Sequence, residues 1–102
     1  MNEEVSVEIC ARVMEITINR PPANAINVAV SNAIYRALTE LQNNDELRVG
    51  IITASGERIF SAGWDLKEIA ELDDNESAIA AAFECPGGFA GLTEFWGLKK
   101  PV

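Results

Sequence analysis

Polar and apolar residues alternate twice near the start of the chain. Val5, Val7 and Ile9 are separated by Ser6 and Glu8, and Met14, Ile16 and Ile18 by Glu15 and Thr17, which predicts two half-buried strands. They are expected to pair as a hairpin across Ala11 and Arg12, although that join lacks the Asn-Gly or Asp-Gly pair that marks a tight turn. Pro21-Pro22 ends the second strand, because neither residue donates to a ladder. Asn27 is then a candidate N-cap for a helix with the apolar face Val30, Ile34, Leu38 and Leu41. Asn43-Asn44-Asp45 closes that helix, and Val49-Gly50-Ile51-Ile52-Thr53 follows as a nearly continuous apolar run, the pattern of a central strand covered on both faces. Ser55-Gly56 makes a turn, Ile59-Phe60-Ser61 reads as a short strand, and a helix runs from about Asp65 to Leu72. Ser77 to Phe83 is Ala-rich and helical, Pro86-Gly87-Gly88 breaks it, and Phe89, Leu92 and Phe95 or Trp96 mark one more helical face. Lys99-Lys100-Pro101-Val102 has the look of the start of another strand. The order strand, strand, helix, strand predicts an α/β fold.

Composition narrows the function classes. The chain has 102 residues, 48% of them apolar, which suits a single domain. Sixteen acidic residues against eight basic ones give a net charge of −8, so a surface that tracks nucleic-acid phosphates is not expected. The absence of His removes Ser-His-Asp and Cys-His nucleophile sites and imidazole metal sites, and no metal is expected. Cys10 and Cys85 are far apart and lack a CxxC pattern, which fits two reduced thiols in a cytoplasmic protein. The acidic N-terminus is unlike a secretory signal, and no stretch approaches the ~20 apolar residues that span a bilayer. From Asp65 to Glu76 stand six acids and one base, a run read as a solvated helix end and loop, with no catalytic role for its carboxylates.

The candidate chemistry lies at Phe60-Ser61-Ala62-Gly63-Trp64-Asp65-Leu66. A buried strand, two small residues and a helix start are expected to leave backbone N–H groups pointing outwards, with partial positive charge from the helix dipole. Such a place suits an anion or a developing oxyanion, where one well-placed donor is worth roughly 2.7–4 kcal/mol in a transition state. Ala62 and Gly63 let a ligand approach the backbone, and Trp64 offers an apolar wall. The plainer reading is a tight turn with Trp64 as a core anchor. Gly87-Gly88-Phe89-Ala90-Gly91 matches neither a dinucleotide fingerprint nor a Walker A loop and reads as a flexible turn.

Three stretches, in order and spacing, carry a resemblance. Asn19 to Asn27 (NRPPANAIN), Leu47 to Thr53 (LRVGIIT) and Ile59 to Glu68 (IFSAGWDLKE) resemble the N-terminal part of the crotonase (enoyl-CoA hydratase/isomerase) superfamily. Trp64 together with Pro86 to Glu94 (PGGFAGLTE) is most similar to its carnitinyl-CoA dehydratase branch. The resemblance implies the N-terminal portion of the ββα spiral fold and an acyl-CoA thioester substrate, with coenzyme A as part of that substrate and no separate cofactor. The thioester oxygen would become an enolate-like oxyanion held by two backbone N–H groups, one of them that of Trp64. Ala62, Gly63, Asp65 and Leu66 would line the coenzyme A groove, Ala23, Asn24, Ala25 and Ile26 would flank it, and Lys67 would meet its phosphates, with Arg20 a weaker phosphate candidate. Pairing of Lys67 with Glu71 at i+4 is the plainer alternative.

In the family the second oxyanion donor follows the Lys-Pro-Val strand, and the acid-base glutamates come later still. The resemblance therefore implies a truncated crotonase N-terminal portion spanning residues 1–102, inactive alone, drawn from a protein that forms homo-trimers or hexamers. Two functions stay open: part of an enoyl-CoA hydratase, dehydratase or isomerase, or a short crotonase-like protein that binds coenzyme A or partner subunits without turnover.

Overall fold

The computed structural model describes residues 4–71 and 86–102. Within them the early alternation becomes a hairpin: β1 (Val5–Cys10) pairs antiparallel with β2 (Val13–Ile18), Val5 opposite Ile18 and Cys10 opposite Val13. Ala11 takes φ +56° in the two-residue turn, the left-handed step for which Gly or Asn is the usual choice. The third strand, β3 (Val49–Ala54), runs parallel to β2, with Val13 opposite Val49, so the sheet order is β1-β2-β3.

Helix α1 (Val28–Asn43) crosses the sheet and makes the parallel connection. Its start is the one expected, with the Asn27 side chain accepting the Val30 N–H at 2.8 Å. Val30, Ile34, Leu38 and Leu41 are fully buried against Met14, Ile16 and Ile18 of β2. The far end is closed by the Asn44 N–H donating to Glu40. Lys100 then donates its ammonium to the carbonyls of Leu41 (2.7 Å) and Asn44 (2.6 Å), placing positive charge where the helix dipole favours it.

Several expectations change. Among the described residues β2, not β3, is the central strand, and Ile51 is 46% exposed on the face away from α1. The apolar run of β3 is thus covered on one face only, because α1 lies on one side of the sheet. On its outer edge the Gly50 N–H donates to the Pro101 carbonyl at 3.0 Å. Ile59-Phe60-Ser61 is not a strand: among the described residues no neighbouring strand accepts it, and Phe60 is exposed.

The helical face expected from Phe89 onward is instead a short 3-10 turn at Phe89–Gly91. Gly87, Gly88, Ala90 and Gly91 all adopt positive φ, which no right-handed helix can contain. Nor is this segment loose. The Ala90 N–H donates to Ser31 Oγ at 3.0 Å, and a Cβ on Gly91 would stand 2.5 Å from the Ser31 carbonyl oxygen, so glycine is what lets the turn seat on α1. Phe95 packs beside Tyr35 with ring centroids 5.1 Å apart, while Trp96 is exposed. The expected helix at Ser77 to Phe83, Cys85 and the part of the acidic run after Glu71 lie outside the described residues.

Candidate active site

The loop after β2 reaches across to the segment before helix α2 (Leu66–Glu71). The Asn24 side chain organises that loop. Its Oδ1 accepts the Arg20 N–H at 2.9 Å, and its Nδ2 donates to the carbonyls of Ser55 (2.9 Å) and Ile59 (3.1 Å). The Asn24 carbonyl accepts the Ser61 hydroxyl, and its φ is +51°. With 1% of its surface exposed, Asn24 lies as a strut beneath a groove; its side chain and carbonyl are occupied by the protein, and it is not among the residues that line that groove.

Next to this loop runs the segment from Ser61 to Asp65. The Ile26 N–H donates to the Gly63 carbonyl (2.7 Å) and the Asp65 N–H to the Ile26 carbonyl (2.9 Å), a parallel bridge between Ile26 and Trp64. In such a bridge the N–H and C=O of Trp64 itself point away from Ile26. Alternation along the segment separates two hollows. Ala62 and Trp64 line a groove of about 550 Å³, shared with Arg20, Pro21, Pro22, Ala23, Ala25, Asp65, Leu66 and Lys67. Ser61 and Gly63 line an apolar cavity of about 500 Å³ behind it, walled by Ile26, Ile34, Phe60 and Phe89 among others. Gly63 has φ +91°, and a Cβ placed on it would meet no atom within 4 Å, so backbone conformation, not crowding, calls for glycine there.

Eight of the eleven residues expected at the site therefore share one groove: Arg20, Ala23, Ala25, Ala62, Trp64, Asp65, Leu66 and Lys67, while Ile26 lines the cavity behind it. Asn24 is buried below the groove and Gly63 opens to the cavity behind. The Trp64 ring packs against Phe89, centroids 4.9 Å apart, so the glycine-rich turn on α1 supports the groove from behind. Leu66 is 76% exposed at the rim.

The expectation of outward backbone donors at the helix start changes most. The Ala62 N–H goes to Ala23 and the Gly63 N–H to Ser61 Oγ. Asp65 caps α2, its Oδ1 accepting the N–H groups of Lys67 (2.9 Å) and Glu68 (3.2 Å). The physical reason is that Asp65 and Ser61, being short and polar, satisfy the donors locally.

Arg20 differs from expectation too. Its guanidinium contacts the Glu4 carboxylate, the Ala25 carbonyl at 2.5 Å and Asp65 Oδ2 at 3.0 Å, so it is engaged inside the protein while lining the groove. Asp65 is held below the ordinary carboxylate range, chiefly by the Arg20 hydrogen bond; burial opposes the shift, and the Glu68 and Lys67 N–H groups reinforce it. Burial pulls Arg20 down, but its bonds to Asp65 and Glu4 outweigh that and raise it. Glu68, expected to be solvated, accepts the Val28 N–H at the start of α1 at 2.9 Å. The Asp65-x-x-Glu68 spacing of a capping box was the available signal for these two carboxylates. Pairing of Lys67 with Glu71 lies outside what the structure describes. Among the described residues no group of His, Cys, Asp or Glu could hold a metal ion, and no helix is long and apolar enough to cross a membrane.

A hairpin extended by a parallel strand, one helix across it, and a groove where a looped strand end meets a second helix are the N-terminal part of a crotonase fold. The chain belongs to the enoyl-CoA hydratase/isomerase family, whose profile matches residues 8–97. A carnitinyl-CoA dehydratase of Salmonella paratyphi B is 45% identical over all 102 residues, which correspond to 37% of that protein. Among solved structures, a carnitinyl-CoA hydratase from Mycobacterium avium aligns with TM-score 0.73 and 39% identity, over 89% of this chain and 34% of that one. The enoyl-CoA hydratase EchA1 from Mycobacterium marinum aligns with TM-score 0.74 and 39% identity, over 92% and 34%. The chain thus spans about a third of the length of the relatives it matches.

Proposed function

We propose that this chain is the acyl-CoA-binding part of an enoyl-CoA hydratase, dehydratase or isomerase, close to the carnitinyl-CoA dehydratases. One observation carries the reading: segments 20–25 and 62–67, far apart in sequence, meet in one groove beside the Trp64 peptide. The Trp64 N–H polarises the thioester carbonyl and stabilises the enolate-like oxyanion, a contribution that grows as charge develops on that oxygen. Lys67 is the groove's cation for the phosphates, since Arg20 is engaged with Glu4, Ala25 and Asp65. Coenzyme A enters as part of the substrate, no separate cofactor is involved, and the protein is a cytoplasmic homo-oligomer. The remaining oxyanion donor and the acid-base carboxylates belong, on this reading, to the two thirds of the relatives' length that this chain does not span.

Calorimetric titration with an acyl-CoA tests the reading. The chain binds it, and Lys67→Glu weakens that binding by roughly tenfold with an unchanged melting temperature. Equal affinity in the variant would remove Lys67 from the site, and absence of binding to the parent chain would overturn the function. Sedimentation velocity in the same buffer checks the oligomer.

A further inference from the structure

The arginine at the end of β2 is bonded in more directions than a fold anchor needs. Its main chain is tied into the 20–24 turn from both ends, its N–H donating to Asn24 Oδ1 and its carbonyl accepting the Asn24 N–H at 2.8 Å. From that fixed base the guanidinium reaches three acceptors brought together only by the fold: Glu4 before β1, the Ala25 carbonyl, and Asp65 after Trp64. A planar fork with five fixed donors can do this, whereas a Lys ammonium on a flexible stem cannot serve three such directions at once.

Asp65 is held twice from the same loop. Its carboxylate receives Arg20, and its N–H donates to Ile26. Those bonds fix the Trp64–Asp65 peptide. The Gly63–Trp64 peptide, which carries the Trp64 N–H, is held by the Ile26 N–H on the Gly63 carbonyl, and the Ile26 N–H shares its peptide with the Ala25 carbonyl that receives Arg20. The pair is largely buried, with side chains 20% and 15% exposed, and burial makes the interaction less subject to screening than a surface pair.

We propose that Arg20 is a positioning residue for the thioester site: through Asp65 and the Ala25–Ile26 peptide it fixes the peptides on both sides of Trp64 so that the Trp64 N–H donates to the thioester oxygen, and it does not bind phosphate itself. This rests on the acyl-CoA reading above and adds to it a residue that acts without touching the ligand.

The test uses two probes, coenzyme A and acetyl-CoA, which share every phosphate and differ in the thioester carbonyl. Their dissociation constants are measured for the parent chain, Arg20→Lys and Arg20→Gln, alongside amide hydrogen exchange. The parent chain prefers acetyl-CoA. In Arg20→Gln that preference falls to near unity while the affinity for coenzyme A stays within about twofold, and Arg20→Lys lies between. The Asp65 amide exchanges at least about tenfold faster in Arg20→Gln while the α1 amides from Ile34 to Leu41 keep their protection, which separates local release from unfolding.

Equal weakening of both probes would make Arg20 a phosphate ligand and overturn the proposal. An unchanged preference, or unchanged Asp65 exchange, in Arg20→Gln would overturn it as well. A parent chain that binds neither probe overturns the acyl-CoA reading itself, a result distinct from loss of the Arg20 effect alone.

Discussion

Asn24 shows how a residue can belong to a sequence motif and yet lie buried beneath the groove that the motif lines. Its side chain and carbonyl make four hydrogen bonds that tie the loop after β2 to Ser55, Ile59 and Ser61. Replacing it with Ala leaves two carbonyls and one N–H in a buried place without their partners, and each such loss costs about 1–3 kcal/mol. Asn24→Ala is expected to lower unfolding stability by roughly 2–3 kcal/mol, and urea denaturation giving under about 1 kcal/mol would show that water replaces the side chain. The place of Trp64 in the groove was legible in the sequence, because small residues flanking a large aromatic before a helix start form a local pattern. The role of Arg20 was not legible, because its partners Glu4 and Asp65 lie 16 and 45 positions away and nothing local announces them.

Among the elements, α1 was the most legible. Its apolar face follows the 3.6-residue period, and both ends carry Asn residues that satisfy backbone groups. The strand at Val49 was also legible as a strand, but not its cover, since an apolar run reports how much of a strand can be buried and not which layers bury it. Ile59 to Ser61 failed for the complementary reason: β-prone residues make no strand without a partner edge. Helix α2 depends on Asp65, which both caps it and pairs with Arg20, and this gives a pH signature. The Asp65 carboxyl is more acidic when folded, so its contribution is fully present above the unfolded value of about 3.9 and is lost as pH falls through the lower folded value. The melting-temperature advantage of the parent over Asp65→Asn is expected to be constant above about pH 5 and to shrink below pH 4. A gap that persists unchanged to pH 2 would mean that the carboxylate charge is not what holds α2.

At the scale of the whole molecule, an acidic chain with a net charge of −8 presents a groove in which Arg20 is already bonded to Glu4 and Asp65. Under the proposed function, that arrangement places the weight of phosphate recognition on Lys67 and leaves thioester recognition to a peptide group, chemistry that needs no histidine. Exposed Val7, Ile9 and Ile51 on the sheet are surfaces that assembly can cover. The length of the chain, comfortable for a domain, is about a third of that of its relatives, so the proposed function is tested first at the groove. Its most direct test is an amide-shift titration of the isotope-labelled chain with acetyl-CoA. The account predicts shifts at Ala62, Trp64, Leu66 and Lys67, with the Trp64 amide responding to acetyl-CoA and not to coenzyme A. Shifts confined to residues outside the groove, or a Trp64 amide that ignores the thioester, would contradict it.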